Sequence, residues 1–478
     1  MNILAPEIFA KTKILATLGP ATSSTEMIKA MMGVGVDGVR LNFSHGEYSS
    51  FEEIFNNINQ ACVETKQPLA TLLDLQGPKI RIGKLKEAFY EIVSGDELEI
   101  TIEDVLGTKE KVSTSYKLLA QDAQLNDIIL IDDGLLRLQI KKKTGSSVLC
   151  KILNGGILKP KKGMNLPGMK LSTPSITEKD FKDLEFALQF RVDFIALSFV
   201  RQADDIYQLK KWLNGKGKTI PIIAKIEKKE AVDNLEEILK ASDGIMVARG
   251  DLGVELEPQE VPLVQKNIIR RCNEIGKIVI TATQMLESMI TNPVPTRAEA
   301  SDVANAVWDG TDVVMLSGET SVGKYPVKAV EIMNKIILNA EKFVPPKQLN
   351  YLIPENIKEN LFDSMNQGIV SMSRQIHADA IVGFTSKGKT PRGLSKYRPA
   401  CKIIALSDSF ETMNTLCLTW GVTSLYCEEI EQKEVAIFLA RKLILETKLV
   451  EPGNTIIFTA GGAKAEKTRE NWIRFEEV

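Results

Sequence analysis

Along the chain, apolar residues fall into short runs that end in polar ones, and each run is followed by a stretch with helical spacing. In order the runs are KILATLGP, GVDGVRLNFSHG, PLATLLDLQGP, DFIALSFVR, IPIIAKIE, DGIMVARGD, KIVITATQ and TDVVMLSGE. Between them, stretches such as SSTEMIKAMMGV, TEKDFKDLEFALQF and KKEAVDNLEEILKAS repeat apolar positions every three to four residues. Continuous Val/Ile/Leu runs alternating with amphipathic helices predict parallel strands buried on both faces. Eight such units predict a (β/α)8 barrel, a fold that places its chemistry at the carboxyl ends of the strands. The polar endings of the runs are therefore where candidate site residues are sought.

One interval departs from this rhythm. Residues 78–163 carry KIRIGKL, FYEIVSGDELEITI, DIILIDDG and LLRLQIKKK, with KTGSS as a turn and no helix-length period. The pattern predicts a β domain inserted after the third barrel strand and placed as a lid. Beyond residue 345 the pattern resets to a helix, NLFDSMNQGIVSMSRQI, and the strands DAIVGF, KIIALS, GVTSLYC and NTIIFTA, which together make a small α/β domain. The expected division is residues 1–77 with 164–344 as the catalytic barrel, 78–163 as the β lid, and 345–478 as the carboxyl-terminal α/β domain.

Composition changes this picture by exclusion. A length of 478 residues suits two or three domains rather than one. A net charge of −2 leaves no basic footprint, so nucleic acid is not an expected partner. No apolar run approaches the roughly 18 residues that span a membrane, and MNILAPEIFAKTKI lacks the features of a secretory signal. The expected location is the cytoplasm. Six cysteines without a CxxC pair, and two histidines (His45 and His377), leave zinc ribbons, thiol redox motifs, His-rich metal sites and His-based triads little to work with.

Two glycine motifs need weighing. GVGVDG at 33–38 follows a helical stretch and precedes a strand, the reverse of the dinucleotide-binding order, and is expected to be a helix end and turn. GFTSKGKT at 383–390 matches a phosphate-loop pattern, yet no later strand supplies a convincing magnesium-binding Asp. It is expected to be a cradle of N–H groups and cations rather than an ATP-hydrolysing core.

The charged strand endings form one constellation. IPIIAKIE puts Lys225 and Glu227 on one strand face, and MVARGD supplies Asp251 after Gly250. Two carboxylates from neighbouring strand ends suit a hard divalent cation; the plainer alternative is a pair of internal ion pairs, Lys225–Glu227 or Arg249–Asp251. VRLNFSHG offers Arg40, Asn42 and Ser44 along one face, ITATQ offers Thr283, and VVMLSGET offers Ser317. In LDLQGPKIRIG, alternation sets Lys79 and Arg81 on one face and Ile80 and Ile82 on the other, with Asp74 just upstream. Cations around two carboxylates are the pattern of a metal-assisted site for a phosphorylated substrate, and phosphoryl transfer needs mainly positioning and charge stabilisation.

RLNFSHG (40–46), LD-x-x-GPKIR (73–81), KKGMNLPG (161–168), AKIE (224–227), MVARGDLGVE (246–255), TATQMLESM (281–289), PTRAEASDVANAV (295–307) and MLSGETSVGKYP (315–326) resemble pyruvate kinase. The likeness runs from about residue 11 to 340 and continues more weakly beyond. It implies transfer of the phosphoryl group of phosphoenolpyruvate to ADP, giving pyruvate and ATP, usually in a homotetramer. It further implies that Glu227 and Asp251 bind Mg2+ or Mn2+, that Arg40 and Lys225 grip the phosphoryl group, and that Gly250, Asp251 and Thr283 line the substrate. Asn42, Arg81 and Lys162 resemble the nucleotide contacts, and Ser317 belongs to the network that protonates the enolate. Thr385, Ser386, Lys387, Gly388, Lys389 and Thr390 align with a phosphate-binding effector loop, whose usual completion the segment AGGAKAEKTREN does not match.

In K+-activated members the Lys79 position is typically Glu, and Thr and Lys stand where this chain has Leu75 and Gln76. Lys79 is therefore expected to supply the positive charge of the pocket formed by Asn42, Ser44, Asp74 and Leu75, and K+ is not expected to be required. The nearest enzymatic alternative is a Mg2+-dependent, enolate-stabilising lyase or aldolase on the same barrel; a lid carrying Arg81 and Lys162 argues against it.

Overall fold

The computed structural model describes residues 10–44, 46–343, 351–430, 432–461 and 471–478. His45, the expected boundary at 345 and most of AGGAKAEKTREN lie outside them. All eight apolar runs form strands, Lys13–Thr17, Gly38–Asn42, Ala70–Asp74, Phe194–Leu197, Ile222–Ile226, Gly244–Ala248, Ile278–Ala282 and Val313–Leu316. They pair parallel in chain order, and the eighth closes on the first. Alternation along each strand sorts the side chains. Leu15, Leu72, Ala196, Ile223, Met246, Ile280 and Met315 fill the inside of the barrel, while Ile14, Leu41, Leu73, Ile222, Ile245, Val279 and Val314 pack outward under the helices. The helices begin where local chemistry starts them. Thr177 with Asp180 and Thr296 with Glu299 form reciprocal caps for Glu178–Ala187 and Arg297–Asp309.

The inserted segment, joined by Met164–Asn165 just past its expected end at 163, has its own apolar core and a six-stranded sheet ordered Met164–Asn165, Ile128–Ile131, Leu136–Lys143, Ser147–Asn154, Glu97–Thr101, Lys111–Ser113. It differs from the sequence reading in two places. A one-turn helix, Leu119–Asp122, interrupts the β pattern. The stretch KIRIGKL forms only isolated bridges, at Arg81, Ile82 and Leu85, because three separate segments take its backbone groups one at a time. Its alternation survives: Ile82 is buried in the lid core and Ile80 packs against it.

The carboxyl-terminal sheet runs Val422–Tyr426, Lys402–Ser407, Ala380–Phe384, Thr455–Ala460 and Trp472–Glu477. The last strand, antiparallel at the edge, was not expected from sequence. Cys417 and Leu418 of this domain join the apolar cluster inside the barrel, so the domain seals the floor opposite the strand carboxyl ends. GVGVDG is a helix end: Thr25–Gly33 stops there and Gly35 turns the chain at φ +114°.

Candidate active site

The inward phase of the barrel strands decides which side chains reach its open mouth. Continuing the lines Leu15–Thr17, Leu72–Asp74, Ala196–Ser198 and Ile223–Lys225–Glu227 brings Thr17, Asp74, Ser198, Lys225 and Glu227 to one layer, with Arg40 from the second strand. Asp74 is its hub and is nearly inaccessible to solvent. One carboxylate oxygen accepts from Arg40 Nε at 2.7 Å, and the other faces Lys225 Nζ at 3.2 Å. Arg40 Nη1 also donates to Thr17 Oγ1 at 3.1 Å. Lys225 Nζ further contacts Glu227 Oε1 at 2.9 Å and donates to Ser198 Oγ at 2.7 Å.

Charge and burial set the ionisation of this layer. Burial by itself would raise the Asp74 pKa, but Lys225 and Arg40 outweigh it and hold the group below the ordinary carboxylate value. Burial likewise works against the Lys225 ammonium, yet Asp74 and Glu227 raise its pKa above that of free lysine, so it stays charged. For Glu227 burial wins: its pKa is raised, Lys225 opposing and the negative charge of Asp251 adding to the shift. Its second oxygen accepts from the Phe199 N–H at 2.7 Å, which requires Phe199 to adopt φ +55°, a left-handed conformation unfavourable for an aromatic residue.

Asp251 stands in the first turn of Arg249–Glu255, exposed and, among the described residues, without a hydrogen-bond or ion-pair partner. Of the two ion pairs considered from spacing, Lys225–Glu227 forms and Arg249–Asp251 does not. Arg249 instead pairs with Asp302 at 2.7 Å and donates to the carbonyls of Ala282 and Thr283. It thereby braces a turn in which Thr283 and Gln284 are both left-handed. The turn aims Thr283 Oγ1 at the Gly250 N–H, 2.8 Å away.

The remaining sequence candidates are placed less centrally. Asn42 is paired across the sheet with Asp74, and its Oδ1 accepts from the Ser44 N–H at 3.1 Å. Leu75 is buried in the outer core. Ser317 sits at the end of the eighth strand, where its N–H donates to Glu319 at 2.7 Å. In the lid, Arg81 Nη1 donates to the Lys161 carbonyl at 3.0 Å, and Lys162 pairs with Asp132 at 2.8 Å.

Lys79 lines a cleft of about 110 Å³ between lid and barrel, together with Asp133, Arg201, Lys228 and Asp251. Burial there first, and Arg81 second, lower its pKa, while Asp251 opposes them. No hydrogen bond or ion pair among the described residues joins Lys79 to Asn42, Ser44 or Asp74. Far from this mouth, GFTSKGKT forms a strand–loop–helix turning at Gly388, with φ +76°. Thr385 and Thr390 there are buried, and Ser386, Lys387 and Lys389 remain on the outer side.

Sequence reasoning missed Ser198, Thr17 and the Phe199 N–H. The hydroxyls were accessible to the same inward-phase argument, since both lie at strand ends two residues beyond a core position. Two carboxylates, Glu227 buried and Asp251 unpartnered, are an all-oxygen donor set that fits a hard divalent cation.

A family model described as pyruvate kinase, barrel domain, matches residues 9–330, and a second, pyruvate kinase, alpha/beta domain, matches residues 363–475. The curated pyruvate kinases of Staphylococcus saprophyticus and Staphylococcus epidermidis are 44% and 43% identical to this chain, over 98% of its length and 80% of theirs. A solved structure of a pyruvate kinase from Cryptosporidium parvum is 36% identical and superposes with a TM-score of 0.91, covering 99% of this chain and 98% of that one.

Proposed function

The chain belongs to the pyruvate kinase family and is a phosphotransferase, and from that premise we propose that Mg2+ assists its transfer of phosphoryl from phosphoenolpyruvate to ADP and that K+ is not required. The observation that carries the residue assignments is the strand-end layer itself. Lys225 and Arg40 sit side by side on Asp74, held by buried contacts and open toward the mouth, with Glu227 and Asp251 next to them.

In this reading Arg40 and Lys225 grip the transferring phosphoryl group. Lys225, fixed by Asp74, Glu227 and Ser198, neutralises the charge that grows on it. Gly250 and Thr283 contact the substrate carboxylate, and the braced turn keeps the two residues together. Arg81 and Lys162 bring the nucleotide phosphates down from the lid, with Asn42 beneath. Ser317 belongs to the route by which the enolate gains its proton. Glu227 and Asp251 would hold Mg2+ or Mn2+, which supplies positive charge for substrate oxygens when bound. Glu227→Gln and Asp251→Asn are each expected to cut turnover about a hundredfold or more while the fold persists. Each should also weaken Mn2+ binding measured by electron paramagnetic resonance; unaltered Mn2+ affinity in both would contradict the assignment.

The K+-independent reading is supported by how the pocket's oxygens are used. Both oxygens of Asp74 and Oδ1 of Asn42 already accept from protein donors, and Lys79 adds a cation to the adjoining cleft. A further monovalent cation there would meet like charge. Replacing tetramethylammonium with K+ at equal ionic strength is expected to leave activity nearly unchanged, and Lys79→Glu is expected to create a K+ requirement. Strong K+ activation of the unmodified enzyme would rule this out. The loop at 385–390 is assigned to a phosphorylated effector, and the assembly to a cytoplasmic homotetramer. Titration of sugar phosphates and nucleotides at low phosphoenolpyruvate tests the former, and sedimentation the latter.

A further inference from the structure

A cavity of about 250 Å³ lies at the closed end of the barrel, away from the strand carboxyl ends, where the carboxyl-terminal domain packs against it. Its walls come from the start of the seventh barrel strand and the helix before it (Asn273, Gly276, Lys277, Ile278), and from the carboxyl-terminal domain (Arg392, Arg398, Thr419, Trp420). Three features set it apart from an ordinary domain seam.

Polar atoms are buried at its wall with nothing to bond. Arg398 Nη1 and Thr419 Oγ1 are both inaccessible to solvent and lack any partner among the described residues. The other arm of Arg398 is fully engaged, Nη2 donating to Asn273 Oδ1 and Asp312 Oδ1, each at 2.6 Å. The guanidinium is thus fixed, stacked at 4.5 Å from the Trp420 ring, with its free arm left over. An unmet buried donor of this kind is costly unless a ligand or water satisfies it.

Positive charge also exceeds negative charge there. Asp312 is matched by Arg398, and Lys396 by Asp363. Arg392 donates only to neutral acceptors, the Lys387 carbonyl and Thr415 Oγ1, each at 2.9 Å. Lys277 donates to the Ser242 carbonyl. Neither has a carboxylate within ion-pair distance among the described residues. Burial lowers the pKa of both, and Asp243, a carboxylate of the cavity wall that pairs with Lys210, opposes the shift in each.

Size decides the class of occupant. A water takes about 30 Å³ of liquid volume, so 250 Å³ exceeds the need of a solvent bridge or a bare small anion. The rest of the wall mixes Phe194, Pro221, Ile278 and Trp420 with the polar Asp243, Asp312, Ser395 and Lys396. We infer that this cavity binds a small phosphorylated metabolite, its phosphoryl oxygens taken by Arg392, Lys277, Arg398 Nη1 and Thr419 Oγ1, its organic part against Trp420. The site is separate from the catalytic mouth and from the loop at 385–390, although Arg392 touches that loop through the Lys387 carbonyl. A doubly charged phosphoryl group suits this donor set because charge-assisted bonds to it are the strong ones.

The test titrates the full chain, free of substrate and nucleotide, with inorganic phosphate and separately with glycerol 3-phosphate. Ionic strength is held with chloride and tryptophan emission is followed. A saturable change is expected that disappears in Trp420→Phe, and affinity is expected to fall about tenfold or more in Arg392→Gln and in Lys277→Gln. Lys389→Gln in the loop and Lys225→Met in the mouth should retain the signal. Tighter binding of glycerol 3-phosphate supports a phosphomonoester; equal or weaker binding overturns that assignment in favour of free phosphate. Thr419→Val keeps the shape and removes the hydroxyl, so weakened binding there supports the site even if Arg392→Gln fails to fold. Absence of any saturable change at millimolar ligand, or a signal unaltered in both Thr419→Val and Lys277→Gln, overturns the inference and leaves the cavity to water.

Discussion

Lys225→Met is expected to lower kcat about 10²–10³-fold while the KM for phosphoenolpyruvate changes far less. The reason lies in where the ammonium stands before reaction. Asp74 at 3.2 Å and Glu227 at 2.9 Å already hold it, so in the ground state its charge is largely balanced and adds little to substrate affinity. In the proposed mechanism, negative charge grows in front of the ammonium as the phosphoryl group leaves the enolate oxygen, and only then does the interaction strengthen. Burial forbids a water from replacing it. Stability should also fall, because Asp74 and Glu227 lose a shared counter-charge, so the rates must be measured well below the melting temperature. Near-normal kcat in this variant would remove Lys225 from the transition state.

Asp74→Asn is expected to cost about 3–5 kcal/mol of stability at pH 7, the range for breaking a buried ion pair from one side. The isosteric amide keeps the shape but leaves Arg40 without its carboxylate at 2.7 Å and Lys225 with Glu227 alone. The pH dependence has a definite sign. Folding holds the Asp74 pKa below its ordinary value, through Lys225 and Arg40 against the opposing effect of burial. Its stabilising contribution is therefore complete above the unfolded pKa of about 3.9 and is lost as pH falls through the lower folded value. Denaturant unfolding should show a large gap between the two proteins at pH 7 that narrows in acid. A gap that stays constant with pH would mean that Asp74 acts through shape rather than charge.

Much of this was legible in the sequence because two periods carry it. Eight apolar runs separated by helical spacing fix a barrel, and alternation within each strand sends Arg40, Asp74, Lys225 and Glu227 inward to its mouth. Charge made those residues conspicuous. Ser198 and Thr17 obey the same phase but are neutral, so only their contacts with Lys225 and Arg40 mark them. Phe199 contributes a backbone N–H through a left-handed conformation, which no side-chain pattern announces. Arg249 finds Asp302, 53 residues away, in place of the adjacent Asp251, because the strained turn at Thr283 draws its guanidinium sideways. The position of Lys79 depends on how the lid meets the barrel, a relation between domains that local spacing does not encode. The edge strand Trp472–Glu477 alternates only weakly in burial and takes its identity from pairing with Thr455–Ala460.

The measurement closest to the central claim supplies the purified chain with phosphoenolpyruvate and Mg2+, with and without ADP, and follows pyruvate and ATP together. Pyruvate formed only when ADP is present, one ATP for each pyruvate, is the expected result. Pyruvate released at the same rate without ADP, or carbon–carbon bond chemistry in its place, would contradict phosphoryl transfer as the work of this site.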